Sequence, residues 1–464
     1  MTNWLPKVKF GAGPRYMAIA DALSEDIRNG FLQQGDRLPT HRDLSWHLGV
    51  TVGTVSRAYA EAERRGLTFG EVGRGTFVHG PSAAERHMLS QTRFKDQNLI
   101  LMDFAYPPPG GVEEKEMAST LQSISTDPEV TNLLSYQPHS GLPHHREAGA
   151  KWFDMNGLTV DPDNVILTAG AHHAIAVTMA ALARPGDRVL CEEMTYPGIQ
   201  SVCRMLGLRL DGLEMDAHGI VPQAFEEACK AGDVKFLYCV PNFQNPTTRL
   251  LPMERRQAIA DIARRHRVSI IEDDVFGLVA ENALPPITNL APERCYYISS
   301  LAKTIAPGLR VGYLTGPQHS IASLIAAVRA TCWMASPITA EIATRWIMGG
   351  SADKILDGRK KSARRRVQIA REIFTDYEME SETLGIYVWL YLPAPWRSSQ
   401  FTHAANRAGV TISASEAFIV GRKAPPHAVR ICLGQPDSEE KLIRGLEILV
   451  DILKKGPDVG TSVF

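Results

Sequence analysis

Ser299-Ser300-Leu301-Ala302-Lys303-Thr304-Ile305-Ala306-Pro307-Gly308-Leu309-Arg310-Val311-Gly312 is the stretch on which the reading of this chain turns. The apolar run before it, 296–299, suits a buried strand, and Lys303 follows directly among small residues. A lone lysine is ordinarily a solvated surface charge. One that leaves a buried strand stands at a pocket edge, where desolvation keeps its amine neutral enough to join a carbonyl carbon. Ser300 and Arg310, on either side, offer a hydroxyl and a fork of N–H donors, a pair suited to phosphate.

Working outward, Glu272-Asp273-Asp274 closes an apolar run at 268–271. A carboxylate at the carboxyl end of a parallel strand points into the ligand crevice, where it can pair with a protonated ring nitrogen. Thr168-Ala169-Gly170-Ala171 ends another run and opens a helix, whose first amides suit a phosphate. Tyr196 is placed to stack on a flat ring, and Asn245 in Asn245-Pro246-Thr247 to touch a ring hydroxyl. Each of these alone reads as readily as a turn former or a packed loop residue. Their order and spacing carry the weight. Candidate strands at 165–168, 188–191, 234–240, 268–272, 296–299 and 310–314 alternate with helical stretches, which predicts a parallel sheet with helices on both faces. The last 120 or so residues read as a smaller α+β unit with a strand at 386–392, and no internal repeat is visible.

The first 80 residues follow a different pattern. Tyr16, Ile19, Ala20, Leu23 and Ile27 recur at helical spacing, with Gly30 as the stop. Thr40 caps a second helix, with Asp43 three residues on and Gly49 at its end. Thr51 caps a third, whose inner face is Val52, Val55, Tyr59 and Ala62 and which closes at Gly66. The joint at Gly49-Val50-Thr51 makes a helix-turn-helix, and 67–71 pairs with 76–78 around Gly73-Arg74-Gly75. In such a unit the second helix enters the major groove. Thr51, Gly53, Thr54 and Arg57 then face bases, Arg42 a base or phosphate, and Arg74 an adjacent minor groove. The bland alternative is a three-helix protein-interaction module.

Composition bounds the rest. The 464 residues suggest about three folding units. At 44% apolar and 22% charged the chain is an ordinary globular one, which excludes wholesale disorder. Net charge is −1, yet residues 1–80 hold ten Lys/Arg against eight Asp/Glu, the sign expected of a segment that meets an anion. The seven cysteines are scattered and odd in number, suiting neither a disulfide framework nor a zinc site. The longest apolar run is about ten residues, so the expectation is a cytoplasmic protein with no metal and no membrane anchor.

Leu38-Pro39-Thr40-His41-Arg42-Asp43-Leu44, Thr54-Val55-Ser56-Arg57-Ala58-Tyr59 and Gly73-Arg74-Gly75-Thr76-Phe77-Val78 together resemble the winged helix of GntR-type bacterial repressors, with Thr40-His41 where that family more often has Pro-Ser. The elements from 165 onward resemble fold-type-I aminotransferases. The whole chain is therefore similar to MocR-type regulators. The resemblance implies a winged helix-turn-helix over 1–80, a linker over 81–98 and an aminotransferase-like effector domain over 99–464, large at 150–315 and small at 320–464. It implies pyridoxal 5'-phosphate as cofactor. Lys303 would be its Schiff-base lysine and Asp273 the pyridine partner, with Ala169, Gly170, Ser300 and Arg310 on phosphate, Tyr196 stacking and Asn245 on the ring oxygen. Tyr136 matches a tyrosine that reaches the neighbouring subunit's phosphate, and Arg430 the arginine that clamps a substrate carboxylate. Partners implied are double-stranded operator DNA, a small amino compound and a second copy in a head-to-tail homodimer.

The sequence departs from the pattern at two places. Phe276 stands where many aminotransferases have a tyrosine on the ring hydroxyl, and Gly198 where some relatives have an arginine for the effector. His172, His144 and His145 receive no role and read as satisfied histidines. Three functions follow: a regulator that senses an amine through Lys303, a working aminotransferase carrying a DNA tether, or a scaffold that binds no cofactor or senses the cofactor itself.

Overall fold

The computed structural model describes residues 4–6, 8, 13–28, 31–32, 36–64, 67–71, 75–78, 99–281, 283–421 and 424–457. The chain separates into two compact units, residues 1–86 and 87–464. Arg74, Gly30, Gly66 and the linker 81–98 lie outside the described residues.

The first unit holds α1 (Arg15–Arg28), α2 (His41–Leu48), α3 (Val52–Arg64), β1 (Thr68–Glu71) and β2 (Gly75–Val78). The Thr40 hydroxyl accepts from the Asp43 amide at 3.2 Å and donates to its carboxylate at 2.7 Å, so the expected cap forms. Gly49 ends α2 at φ 62°, where its N–H reaches back to Ser45 and Trp46. Ile19, Leu23, Leu44, Val55, Ala58 and Ala62 fill one core between the helices. Val52, expected on the inner face of α3, is instead 45% exposed. Three residues advance a helix by about 300°, so Val52 stands about 60° away from Val55, at an end with no preceding turn to cover it. Ala58 joins the buried face. β1 and β2 pair antiparallel, and Arg37 bridges to Phe77 on the far edge of β2.

In the second unit seven strands form the large sheet. Their order is Ile166–Thr168, Gly312–Thr315, Cys295–Ser300, Ser269–Asp273, Val234–Cys239, Arg188–Glu192 and Arg209–Leu213. The last five run parallel. Gly312–Thr315 is antiparallel to both neighbours, so the sheet is mixed and the expectation of an all-parallel sheet is corrected. The reason is chain length: only residues 301–311 join Ser300 to Gly312, whereas a parallel crossover needs roughly a dozen or more. Both faces are covered. Val189, Cys191, Phe236, Tyr238 and Ile271 enter one core, while Leu190, Leu237, Cys239 and Ile270 enter another, the period-two signature of a doubly buried sheet. The edge strand Arg209–Leu213 carries exposed Arg209 and Asp211, the polar guard of a sheet edge, and has no apolar run to betray it.

The C-terminal part is a four-stranded antiparallel sheet, Met379–Glu380, Tyr387–Tyr391, Ala428–Cys432 and Ser413–Ala414. The helices Ser351–Ile373, Ser398–Arg407 and Glu439–Lys455 pack on it through Val367, Phe401 and Leu446. Ile100–Leu101 pairs parallel with Val410–Thr411, which builds the beginning of this unit into its end. Among the described residues, no helix is long and apolar enough to cross a membrane.

Gly149 shows how tightly the layers meet. A Cβ there would lie 2.5 Å from the Tyr313 ring and 2.8 Å from Val165. Alanine in a helix gains about 0.5–1 kcal/mol over glycine, but overpacking costs about 1–3 kcal/mol. Gly149→Ala is therefore expected to lower the unfolding free energy by about 1–2 kcal/mol in urea titrations, against the helix-propensity trend.

Candidate functional site

A cavity of about 290 Å³ opens where the parallel strands end. Lys303, Asp273, Tyr196, Asn245, Ser300, Arg310 and Arg430 all line it, together with His172 and Phe276. Residues remote in sequence thus share one volume.

Asp273 ends the strand Ser269–Asp273, and the structure separates it from its acidic neighbours. Glu272 accepts from the Ile287 amide and from the Thr288 amide and hydroxyl. Asp274 accepts from Asn242 and Tyr297. Asp273 accepts from the Tyr238 hydroxyl on Oδ2 at 2.7 Å, whereas its buried Oδ1 has no hydrogen-bond partner among the described residues. Burial pushes the Asp273 carboxyl up to about 6, with Tyr238 pulling it down and Asp274 adding to the rise.

Lys303 follows the strand Cys295–Ser300 through a turn. Its Nζ donates to the Ala105 carbonyl at 2.8 Å and stands 4.8 Å from the centre of the Phe104 ring. Burial, then the positive Arg430, brings its ammonium down to about 8. Neither Phe104 nor Ala105 was legible in the sequence, because a backbone carbonyl has no residue-type signature and the contact spans 198 positions. Tyr238 was equally hidden, as one more aromatic in a buried strand.

Ala169 and Gly170 do not line the cavity; they lie behind Arg310 and Ala171, which do, in a close approach of bare backbone. Gly170 takes φ 93° just before the helix Ala171–Leu182, and a Cβ on it would meet Arg310 Nη2 at 2.7 Å. A Cβ on Gly312 would meet Gly170 C at 2.7 Å and Thr168 Oγ1 at 2.8 Å. Arg310 itself adopts φ 54°, and its Nη2 donates to the Ala169 carbonyl at 3.1 Å. Ser300 is buried beside it. Helix amides, a hydroxyl and a guanidinium converge there, the donor set of an anion site.

Opposite, Arg430 comes from the strand Ala428–Cys432 and is only 4% exposed. It donates to Asn245 Oδ1 at 2.7 Å and to the Asp103 carbonyl at 2.8 Å, between the rings of Phe418 and Tyr387. Its Nε is buried without a hydrogen-bond partner among the described residues. Because Arg430 occupies Asn245 Oδ1, the amide is oriented with its NH₂ free to donate elsewhere. The Tyr196 hydroxyl lies 3.4 Å from His172 Nδ1, and burial pushes it up to about 12. Burial, followed by Arg310, lowers His172, which keeps that ring neutral. A Cβ on Gly198 would stand 2.3 Å from the Tyr196 ring, so an arginine at 198 is incompatible with this ring position. Phe276 packs against Phe243 and Tyr387 and brings no hydroxyl.

Tyr136 does not join the cavity: it is 83% exposed, with its ring 5.9 Å from that of Trp333. His144 and His145 both reach Glu341 Oε2, at 3.0 and 3.1 Å. In the first unit, Thr51, Gly53 and Arg57 are exposed along α3 and Arg42 is exposed on α2. The Thr51 and Thr54 hydroxyls lie 2.9 Å apart, and Thr51 accepts from the Thr54 amide at 3.2 Å, capping α3.

Comparison with known proteins agrees with this division. Residues 115–446 match the family described as Aminotransferase class I and II, and residues 15–78 match Bacterial regulatory proteins, gntR family. The HTH-type transcriptional regulator YdeF of Bacillus subtilis is 31% identical over 97% of both chains. The HTH-type pyridoxine biosynthesis transcriptional regulator PdxR of Corynebacterium glutamicum is 28% identical over 65% of this chain and 66% of its own. The solved structure of Pyrococcus horikoshii kynurenine aminotransferase in complex with PMP shares the fold, with a TM-score of 0.73 and 23% identity over 80% of this chain and 94% of that one.

The Asp273 carboxyl carries a pH signature. Its folded-state value, about 6, lies above its unfolded one, so it favours folding at low pH and that contribution is lost as pH rises through about 6. Asp273→Asn is expected to raise the unfolding free energy of the ligand-free protein at pH 7, by about 1–3 kcal/mol. Urea unfolding between pH 4 and 7 should show a shallower pH dependence than wild type.

Proposed function

The chain belongs to the GntR-type transcriptional regulators that carry an aminotransferase class I and II domain, the MocR type, and on that footing we propose that it senses a small amino compound through pyridoxal 5'-phosphate held at Lys303. The observation that carries the reading is the bare Oδ1 of Asp273, buried in the cavity that Lys303 lines. A buried acceptor with no hydrogen-bond partner among the described residues fits a pyridinium N–H, and Gly170, where a Cβ would push into Arg310, leaves that guanidinium placed for a phosphate.

When bound, the cofactor supplies an aldehyde and an electron-withdrawing ring. The chain's own residues do the rest. With its ammonium near 8, Lys303 is neutral for about a tenth of the time at pH 7, enough to attack an aldehyde. Gly170, Ala169, Ser300 and Arg310 would hold the phosphate, Tyr196 would cover the ring and the Asn245 NH₂ would donate to the ring oxygen. The unpaired Arg430 Nε–H would receive the carboxylate of an amino compound whose amine meets Lys303. Tyr136, exposed on one chain, completes the phosphate site of a second copy in a homodimer. Residues 1–80 read operator DNA through Thr51, Gly53, Thr54 and Arg57 on α3, with Arg42 and Arg74 alongside.

Phe276 favours sensing over turnover, since no hydroxyl at that position tunes the ring oxygen. Two measurements test the proposal. Purified protein loaded with cofactor should absorb in the visible, and Lys303→Ala should abolish that band; a band unchanged by the substitution rejects the assignment. Steady multiple turnover with an amino donor and a keto acid would instead favour the enzyme.

For the head, Arg57→Ala and Arg74→Ala should each weaken binding to a duplex selected from random sequence by about 1–3 kcal/mol, with the visible band intact. Unchanged affinity in both variants would place the DNA surface elsewhere.

A further inference from the structure

The stretch from Met102 to Ala105 touches both cations that the proposed effector chemistry involves. The Asp103 carbonyl accepts from Arg430 Nη2 at 2.8 Å, and the Ala105 carbonyl accepts from Lys303 Nζ at 2.8 Å. The Phe104 ring lies 4.8 Å from the same ammonium. This strap is also fastened to the C-terminal sheet. The Met102 amide donates to Thr411 O at 3.0 Å, and the Cys432 amide donates to Met102 O at 2.8 Å. The Thr411 hydroxyl donates to Asp103 Oδ1 at 3.0 Å, and the Phe104 amide donates to Gln435 Oε1 at 2.9 Å. Just beyond it the chain runs so close to Gly434 that a Cβ there would lie 1.8 Å from Tyr106 O.

In sequence the strap is nearly the first part of the effector unit, only a few residues past the linker 81–98 that follows the DNA-binding head. Phe104 and Ala105 of this stretch line the cavity. The strap's two carbonyls hold the lysine that would bear the cofactor and the arginine that would hold the effector.

We propose that the strap Asp103–Ala105 is the element through which occupancy of the cavity reaches the chain leading to the head. This rests on the reading that Lys303 binds the cofactor. A free Lys303 ammonium has three N–H donors, and one holds the Ala105 carbonyl. Condensation of its amine with an aldehyde releases one water and leaves the nitrogen at most one N–H, for which the neighbouring ring oxygen of the cofactor competes with the Ala105 carbonyl, so that hold is weakened. A carboxylate on the Arg430 Nε–H shares that guanidinium with the Asp103 carbonyl and weakens the second hold. Loading with cofactor therefore loosens the strap at Ala105, while Thr411, Gln435 and the Ser413 hydroxyl, which donates to the Asp103 carbonyl at 2.9 Å, keep it on the other side. The two states differ in their contacts, as a ligand-driven shift requires.

The test uses the full-length protein, freed of cofactor and then titrated with pyridoxal 5'-phosphate. Backbone amide exchange over residues 100–106 and affinity for the selected duplex are measured in both states. Loading should speed exchange across the strap by about fivefold or more and shift duplex affinity by a similar factor, the lower end of ordinary coupling. Thr411→Val and Gln435→Ala, which loosen the strap from the sheet side, should exchange quickly before loading. They should bind cofactor within about twofold of wild type yet lose most of the shift in duplex affinity. Identical strap exchange before and after loading, or a full affinity shift in both variants, overturns the proposal. A visible band that forms normally beside such a result leaves the cofactor assignment standing, whereas no band at all defeats both.

Discussion

One carboxyl oxygen, Asp273 Oδ1, is buried at the end of a strand with no hydrogen-bond partner among the described residues, although Tyr238 meets the other oxygen. An unmet buried acceptor costs about 1–3 kcal/mol, and a fold organised only for stability would pair it. Its neighbours show that the chain has the means: Glu272 and Asp274, equally buried, are met on both oxygens. Everything else in the cavity is arranged around this deficit. Tyr238 fixes one oxygen and thereby aims the other. Lys303, desolvated and facing Arg430, is kept from being a fixed counter-ion. Among the described residues the orphan donor at Arg430 Nε and the orphan acceptor at Asp273 belong to one volume, so the site is a matched pair of unmet demands, which a ligand can satisfy.

The second constraint is how closely backbone approaches backbone where Gly312 meets Gly170. The short link from Ser300 to Gly312 returns the chain antiparallel, with Gly312 against Gly170 and Arg310 at positive φ. The mixed sheet and this close approach thus come from the same turn. A longer link would have allowed a helical crossover and a parallel strand, with no reason for Arg310 to stand over Gly170. Tyr196 and Gly198 show the same economy of space. The ring that covers the cavity excludes a side chain two residues on, so effector recognition cannot draw on an arginine there while Tyr196 stays in place.

The N-terminal unit and the effector unit each hold together on their own cores. In the second unit the strand Ile100–Leu101 pairs with Val410–Thr411 and leads straight into Phe104 and Ala105 of the cavity wall. Phe276 packs against Phe243 and Tyr387, so its contribution is packing.

The helix caps at Thr40 and Gly49 and the fold of both units were legible in the sequence, as were several of the side chains that meet in the cavity. Caps, glycine stops and apolar periods act over a few residues, and Lys303, Asp273, Gly170 and Arg310 announce themselves by standing at strand ends. It also over-reached. Val52 was given to the core because periodicity ignores where a helix begins, and the strand before Thr315 was taken as parallel because spacing alone does not count a crossover. Which of three adjacent acids is left bare, which carbonyls hold Lys303 and Arg430, and the pairing of Ile100–Leu101 with Val410–Thr411 emerge from the folded chain alone. Those choices depend on Tyr238, Thr288, Ala105 and Asp103, whose roles come from contacts across long stretches of chain and, for the last two, from backbone atoms that every residue shares.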